Sequence, residues 1–265
     1  MAENRLDKRF KELKSENRKA LITFITAGDG GYELTEKAVL NMAESGADLI
    51  ELGVPFSDPI AEGPVIQKAS ERALKNGTTL EGIFKMIERI RQKTQVPLLL
   101  MMYLNTIFVY GTERFFAQCK ETGIDGVIVP DMPFEEKDEI QGAADKYGIH
   151  NISLVTPASE GRIQMISADA TGFLYCVSSN GVTGMRSKFD TDFSSFFAPI
   201  HKYAKLPCAV GFGISSPESA KHMSQYCDGV IIGSAIVHLV EEYKENAVAE
   251  IEKFVTSIRT ALDEV

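Results

Sequence analysis

Short apolar runs alternate with longer segments of helical period along the chain, and this alternation constrains the fold more than any other feature. The runs have few polar interruptions, as is typical of parallel strands that are buried on both faces. Eight strands are predicted: Ala20–Ile25, Leu49–Leu52, Pro97–Tyr103, Gly126–Val129, Asn151–Leu154, Gly172–Val177, Cys208–Gly211 and Gly229–Ile232. The predicted helices are Glu33–Glu44, Val65–Asn76, Leu80–Lys93, Glu113–Glu121, Glu135–Tyr147, Glu160–Ser167, Phe193–Tyr203, Pro217–Tyr226 and a last one from about Ile236 to Leu262.

Strict alternation of strands and helices requires crossover connections and therefore predicts an α/β architecture. Eight such repeats within 265 residues match the size of a (β/α)₈ (TIM) barrel, and no linker divides the chain. We therefore expect one barrel domain over residues 1–265. A doubly wound open sheet is the alternative, and it is disfavoured because no G-x-G-x-x-G motif follows the first strand.

Two further patterns belong to the end of the barrel opposite the active site. Residues 4–14 place Leu6, Phe10 and Leu13 on one face, which predicts an extra N-terminal amphipathic helix covering the bottom of the barrel. A weak repeat of glycine and aspartate precedes three of the strands, in Gly46-Ala47-Asp48, Gly123-Ile124-Asp125 and Asp228-Gly229. Glycine at such positions closes a helix before the next strand begins.

Composition excludes several functional classes. The net charge of −9 and the pI near 5.1 argue against nucleic acids and anionic membranes as partners. The four scattered cysteines form no C-x-x-C pair and are expected to be reduced and buried, without a disulfide frame or a zinc site. No signal peptide and no apolar stretch approaching the roughly 18 residues of a membrane span are visible. A cytoplasmic protein is expected.

Glycine-rich loops follow each of the last three predicted strands. They are Ser178–Arg186, Gly211–Glu218 and Gly233–Ala235, and the last opens a short helix after strand eight. Each alone is most simply ordinary turn chemistry, and Ser215–Glu218 also has the pattern of a helix start. Together, on the late strands of a barrel, they favour a phosphate site built from backbone N–H groups. The long polar segment from Gly181 to Phe193 is predicted to be a lid over it.

Carboxylates are the candidate catalytic groups. Glu51 ends the second strand on the same side as Leu49. If that side faces the barrel interior, desolvation would suit Glu51 to acid–base catalysis, whereas pairing with a Lys or Arg would make it structural. Asp58 and Glu62 follow in the next loop, where acids are usually solvated, and Asp131 after strand four is interpreted as a structural cap. No catalytic histidine, nucleophile triad or metal-ligand spacing is apparent.

Taken together, these segments resemble the alpha subunit family of tryptophan synthase over nearly the whole chain. The similar segments are Phe24–Asp29, Leu49–Gln67, Met102–Asn105, Val129–Pro133, Gly181–Gly184, Gly211–Ser215 and Gly233–Ala235. The resemblance implies a (β/α)₈ lyase that cleaves indole-3-glycerol phosphate to indole and glyceraldehyde 3-phosphate without a cofactor of its own. It also implies a beta subunit that carries pyridoxal phosphate and joins this chain in an α2β2 heterotetramer. We expect the loops after strands two and six, which border the active-site mouth, to face that partner.

The resemblance also implies roles for individual residues. Glu51 matches the general acid–base glutamate, and Glu62 occupies the place of a second acid that contacts the indole N–H. Thr183 matches a lid residue that contacts this second acid on closure. Indole-pocket positions are matched by Phe24, Met101, Ile128, Tyr175 and Phe212, and phosphate-site positions by Gly184, Gly213, Gly233 and Ser234.

One departure from the family pattern leaves the activity open. The second acid is normally aspartate, and the extra methylene of Glu62 moves its carboxylate by about 1.5 Å, so we expect Glu62 to be imperfectly placed and intrinsic turnover to be low. One alternative is a regulatory partner of the beta subunit whose own chemistry is weak. Another is a different phosphosugar lyase or isomerase on the same barrel, although no convincing lysine, histidine or metal set lies at the strand ends.

Overall fold

Nine parallel strands form a nearly closed barrel in a computed structural model that describes residues 3–177, 193–211 and 213–265. The strands are β1 Ala20–Thr26, β2 Leu49–Gly53, β3 Leu98–Met101, β4 Gly126–Ile128, β5 His150–Asn151, β6 Ser153–Val155, β7 Leu174–Val177, β8 Cys208–Gly211 and β9 Gly229–Ile232. Their order is β5-β4-β3-β2-β1-β9-β8-β7-β6. Since β1 pairs with both β2 and β9, the first and last strands are neighbours. The predicted barrel is confirmed.

The fifth predicted strand is split in two. β5 pairs with β4 and β6 pairs with β7, and only Ile152 separates the two pieces in the chain. The two ends of the hydrogen-bonded order are therefore consecutive in sequence. This single segment closes the barrel, so the eight predicted strands and the nine observed ones describe the same circle.

Helices cover the outside of the barrel and both of its ends. They are α1 Arg5–Ser15, α2 Tyr32–Glu44, α3 Pro64–Lys75, α4 Leu80–Arg91, α5 Leu104–Tyr110, α6 Thr112–Thr122, α7 Asp138–Tyr147, α8 Ile163–Asp169, α9 Phe193–Tyr203, α10 Pro217–Ser224, α11 Ser234–Tyr243 and α12 Ala247–Asp263. Short 3₁₀ helices occupy Phe134–Glu136, Pro157–Arg162 and Lys244–Asn246. Within the described ranges, no helix has both the length and the apolar character needed to cross a membrane.

Two helix predictions were wrong. α5 was not predicted, because its apolar residues directly follow those of β3 and read as one run. The single long helix predicted from about Ile236 to Leu262 is two helices, and the first begins already at Ser234. Lys244 ends α11 with a φ of +51°, a left-handed conformation that stops a helix. Because this residue is not a glycine, the sequence does not signal the break.

The N-terminal helix closes the bottom of the barrel, as predicted. Asn4 caps α1 by accepting a hydrogen bond from the N–H of Leu6 at 2.9 Å. Leu6, Phe10 and Leu13 are buried in the interior cluster, whose other members include Ile22, Leu49, Leu99 and Phe173. All four cysteines are free and buried, also as predicted.

The repeated aspartates tie neighbouring strands together at this same end. Each aspartate precedes one strand, and it pairs with a residue at the start of an adjacent strand. The aspartate N–H donates to that residue's carbonyl, and the aspartate carboxylate accepts from that residue's N–H. The pairs are Asp48–Leu21, Asp125–Leu98 and Asp228–Cys208, with all six distances between 2.7 and 2.9 Å. The repeat therefore sets the strand register where the barrel begins.

Arginines strengthen the Asp48 pairing but not that of Asp228. The Asp48 side chain, 1% exposed, accepts from Arg9 of α1 at 2.6 Å and from Arg259 of α12 at 3.1 Å. It thus joins the covering helix, the strands and the last helix through one buried carboxylate. Asp228 lies on the surface.

We predict that Asp48→Ala lowers the free energy of unfolding by about 3–5 kcal/mol. The N–H of Leu21 stays buried without a partner, and Arg259 loses its buried counter-ion. Arg259 keeps only the carbonyl of Lys19 and the exposed carboxylate of Asp263. Asp228→Ala, the matched control, loses one exposed-edge hydrogen bond and should cost about 1 kcal/mol. Urea unfolding measures both changes in the free energy of unfolding, and the two variants should keep the m-value of the wild type. Equal losses in the two variants would contradict the role assigned to Asp48.

Candidate active site

The pleat of β2 directs Glu51 into the barrel. Leu49, two residues earlier, belongs to the interior cluster, whereas Ile50 and Leu52 pack in the cluster outside the strands. Phe24 of β1 and Leu99 of β3 lie beside Glu51 in the strand register. Since side chains in register point to the same face of a sheet, Glu51 projects into the interior. The alternation correctly predicted that it shares a side with Leu49, and the structure shows that this side is the interior.

Glu51 is an unpaired carboxyl group in apolar surroundings. Its side chain is fully buried, and neither of its oxygens has a hydrogen-bond partner within the described residues. Desolvation raises the pKa of Glu51 to about 8. The charge of Glu51 also adds to the effect of burial in raising the pKa of Tyr175, so the two groups are neighbours. The alternative of a glutamate paired with Lys or Arg is therefore wrong.

Glu62 is buried as well, against the expectation that acids in this loop are solvated. It is 8% exposed, and its Oε2 has no hydrogen-bond partner among the described residues. Desolvation raises the pKa of Glu62 to about 7. Asp58 in the same loop is exposed and accepts a hydrogen bond from Ser57. The barrel mouth therefore carries two carboxyl groups that titrate near neutrality.

Contacts that local sequence does not reveal hold the loop before α3. The phenol oxygen of Tyr103 accepts from the N–H of Ala61 at 2.9 Å, and its ring stacks on Phe56 at 4.8 Å. The side-chain amide of Gln67 donates to the carbonyl of Glu62 at 2.8 Å. Burial, with a smaller contribution from the charge of Glu62, raises the pKa of Tyr103 to about 12.

The predicted pocket residues face the same space. Ile128 and Tyr175 belong to the interior cluster around Glu51, and Met101 packs against it. Phe24 and Met101 also pack with α3 and α11, through Ile66, Ala69 and Val237. Helix α3 therefore roofs part of the barrel mouth. Sequence reasoning missed this role, although the i,i+3 pair of Ile66 and Ala69 directly after Glu62 could have indicated it. Phe212 lies outside the described residues.

Two glycines beside Phe24, Gly53 and Gly233, are explained by close packing against its ring. A Cβ atom on Gly53 would lie 2.5 Å from Cζ of Phe24, and one on Gly233 would lie 3.2 Å from its Cδ1. A larger residue at position 53 would therefore displace the Phe24 ring. These two glycines leave room for a flat aromatic wall near Glu51.

The described part of the predicted phosphate site lies at the last two strands. Gly233 is the N-cap of α11 and Ser234 its first residue, with no capping side chain. The N–H groups of the first turn are thus directed at the barrel mouth, where an anion would be stabilised. Gly213 has a φ of +78°, which favours glycine. Thr183 and Gly184 lie outside the described residues, as does the segment predicted to be a lid apart from its last residue, Phe193.

Asp131 is a cap, but not of the helix that follows it. Its carboxylate accepts from the N–H of Leu104 at 3.0 Å and so caps α5 across the top of the neighbouring strand. Among the residues that the structure describes, no cluster of three or more His, Cys, Asp or Glu could hold a metal ion.

Comparison with known proteins decides the family. A family model described as tryptophan synthase alpha chain matches residues 10–264. The chain belongs to the tryptophan synthase alpha chain family. The tryptophan synthase alpha chain of Thermoanaerobacter sp. (strain X514) is 48% identical over 98% of this chain and all of its own length. That of Geobacter sp. (strain M21) is 48% identical over 91% of both chains.

Solved structures of alpha chains have the same fold. Tryptophan synthase subunit alpha from Legionella pneumophila superposes with a TM-score of 0.89 and 36% identity over 100% of both chains. A chain from the tryptophan synthase α2β2 complex of Pyrococcus furiosus gives a TM-score of 0.81 and 33% identity, over 91% of this chain and 98% of its own.

The buried carboxyl of Glu51 makes stability depend on pH. Its pKa rises from 4.5 to about 8 on folding, so the native state is destabilised progressively as pH rises between these values. The full penalty is on the order of 5 kcal/mol. We predict that Glu51→Gln, which cannot ionise, unfolds at about the same urea concentration as the wild type at pH 5 and at a clearly higher one at pH 9.

Glu88→Gln on the exposed face of α4 is the matched control and should show no such divergence. A stability difference between Glu51→Gln and the wild type that is constant from pH 5 to pH 9 would show that Glu51 ionises freely in the folded protein.

Proposed function

We propose that this chain, as a single domain, cleaves indole-3-glycerol phosphate to indole and glyceraldehyde 3-phosphate. The family supplies the reaction, and the observation that carries the proposal for these residues is the unpaired, fully buried carboxyl of Glu51 beside an aromatic pocket. The reaction needs one group that gives a proton and then takes one. A carboxyl group with a pKa near 8 is mostly protonated at pH 7 and can do both.

Glu51 would serve both proton transfers of the retro-aldol step. Its proton goes to carbon three of the indole, and the positive charge is delocalised onto the ring nitrogen. The resulting carboxylate accepts the proton of the side-chain hydroxyl as the bond between carbon three and the hydroxyl-bearing carbon breaks. The electron pair of that bond returns to the indole ring, and an aldehyde forms. Glu51 ends the cycle protonated.

Glu62 would stabilise the charge on the indole nitrogen. A carboxylate beside that nitrogen binds the protonated intermediate more tightly than the neutral substrate, which is what accelerates the step. Its charge acts on the nearby Tyr103, and with a pKa of about 7 it is ionised in a large fraction of molecules at neutral pH.

The indole ring would lie between Phe24, Met101, Ile128 and Tyr175, with Phe212 completing the pocket. The phosphate would be held by backbone N–H groups at Gly213, Gly233 and Ser234, with Gly184 on the remaining side and Thr183 closing over the second acid. Backbone donors suit a protein with a net charge of −9, because they need no cationic side chain.

A lysine-dependent aldolase on the same barrel is disfavoured by the composition of the interior. No lysine or histidine is among the buried residues of the described part of the chain. A Schiff-base mechanism requires a lysine in the pocket, where desolvation keeps its amine neutral. Among the described residues, the candidate proton-transfer groups of the pocket are instead the two carboxyl groups.

Replacing the acid–base group tests the proposal. We predict that Glu51→Gln lowers kcat for indole release by at least about a thousandfold, near the upper range for general acid–base catalysis, while glycerol phosphate binds with unchanged affinity. Indole release is measured without added metal, with and without the beta subunit, and Glu88→Gln is the control. Wild-type chain that raises beta-subunit turnover but shows no lyase activity in the complex would instead support the regulatory alternative.

Glu62→Asp is the second arm of the same assay. If the longer side chain is imperfectly placed, restoring aspartate should raise kcat. A clear fall would mean that the surrounding loop fits glutamate.

The partner of this family is a beta subunit, and we propose that it binds an apolar patch beside the active-site mouth in an α2β2 complex. The patch consists of Ile60, Phe108 and Val109, which are 75%, 45% and 81% exposed. The Ala61–Tyr103 hydrogen bond joins the loop carrying Ile60 to the start of α5, the helix that carries Phe108 and Val109. Exposed apolar side chains that lie together mark interaction surfaces. Pyridoxal phosphate would belong to the beta subunit.

A charge in this patch should prevent assembly. We predict that Val109→Asp weakens binding to the beta subunit at least about tenfold, because the complex would bury an unpaired carboxylate. Analytical ultracentrifugation of the mixture measures this loss and the stoichiometry. Met165→Asp, at an exposed apolar residue of α8, is the control. Unchanged assembly of Val109→Asp would place the interface elsewhere.

A further inference from the structure

An ion-pair network joins three elements at the active-site end of the barrel. Arg72 of α3 donates two hydrogen bonds to Asp29 in the loop after β1, both at 2.8 Å. Its remaining terminal nitrogen lies 3.2 Å from a carboxylate oxygen of Glu241 on α11. The Asp29 side chain is 2% exposed and that of Arg72 is 31% exposed, so the carboxylate half of this bidentate pair is shielded from water. Pairing with Asp29 is also the main cause that raises the pKa of Arg72.

The helix that carries Arg72 also carries Glu62 at its other end. Gly63 is the N-cap of α3, and Glu62 directly precedes it. The helix packs on β1 and α11, and its apolar side covers Phe24 through Ile66 and Ala69. A shift of α3 along or across the barrel mouth would therefore move the carboxyl group of Glu62 relative to the indole pocket.

The network fixes α3 against the two elements that frame the substrate. Asp29 follows β1, which contributes Phe24, and Glu241 lies on the helix that begins at the proposed phosphate residue Ser234. Apolar contacts hold α3 down but allow sliding, whereas a bidentate pair defines direction as well as distance. Arg72 thus supplies a directional contact of this helix, about three turns from Glu62.

We propose that Arg72 is a positioning residue that holds Glu62 over the indole pocket by locking α3 to the loop after β1 and to α11. The proposal rests on the proposed function of Glu62. A misplacement of about 1 Å can cost about a hundredfold in rate. Loss of the Arg72 ion pairs should therefore slow the reaction, although Arg72 does not touch the substrate.

A double-mutant cycle with Glu62 tests the proposal. We expect Arg72→Met to lower kcat for indole release about 10- to 100-fold with little change in KM. In a Glu62→Ala background, the same substitution should change kcat by no more than about twofold, because the group it positions is gone. Arg72→Lys keeps the positive charge but cannot form the bidentate pair, so its kcat should lie between those of the wild type and Arg72→Met. If Arg72→Met does not fold, Arg72→Lys replaces it in the cycle.

The strength of each contact predicts a ranking of the partners. Asp29→Asn should approach Arg72→Met, whereas Glu241→Gln, at an exposed single contact, should lower kcat less than about threefold. Arg89→Met is the matched control. Arg89 bridges α4 and α2 through a 2.8 Å pair with Glu36, away from the barrel mouth, and its loss should leave kcat unchanged.

The outcomes separate this inference from the function it rests on. If the fold losses in kcat of Arg72→Met and Glu62→Ala multiply in the double variant, the two residues act independently and the positioning role is overturned. Wild-type kcat in Arg72→Met would overturn it too. Either result would leave the lyase function intact. A wild-type chain without cleavage activity in the presence of the beta subunit would overturn the proposed function and this inference together.

Discussion

The rest of the site depends on one unfavourable burial, that of the Glu51 carboxyl group inside an apolar barrel without a partner. An ionised carboxylate there lacks both water and a counter-ion, so the neutral form is favoured up to a pKa of about 8. The same desolvation that opposes ionisation makes the group a proton donor at neutral pH. A polar neighbour that satisfied Glu51 would stabilise the fold and remove the basis for the acid–base role proposed for it.

A rigid barrel is what keeps this burial possible. At the bottom, aspartates pair with the starts of neighbouring strands, and Asp48 adds two arginines and the covering helix α1. At the top, α3 closes over Phe24, and its ion pairs hold it from the side. These stabilising polar interactions lie at the two ends, and the interior cluster around Glu51 consists of apolar side chains and the phenol of Tyr175. This separation lets the carboxyl group of Glu51 persist without a partner in apolar surroundings.

Most of the fold and part of the site could be predicted from local patterns. Alternating runs identified the strands, and the period of two in β2 correctly placed Glu51 on the same side as Leu49. The failures occurred where local sequence was ambiguous. α5 continues an apolar run from β3, and the break at Lys244 needs a left-handed residue that no glycine marks. The solvation expected of loop acids failed for Glu62, because α3 and Tyr103 fold over that loop.

The sequence by itself determined which face each strand residue occupies, where the Gly/Asp turns fall and which residues have the chemistry for acid–base work. These properties depend on neighbours a few positions apart, and the backbone geometry of strands and helices imposes them directly. Only the tertiary structure decided that Glu51 has no partner, that Glu62 is buried, and that Asp29, Arg72 and Glu241 meet. Those three residues are separated by 43 positions and more in the chain, and no local period relates them. Closure of the barrel brings them together, because it makes the first and last strands neighbours.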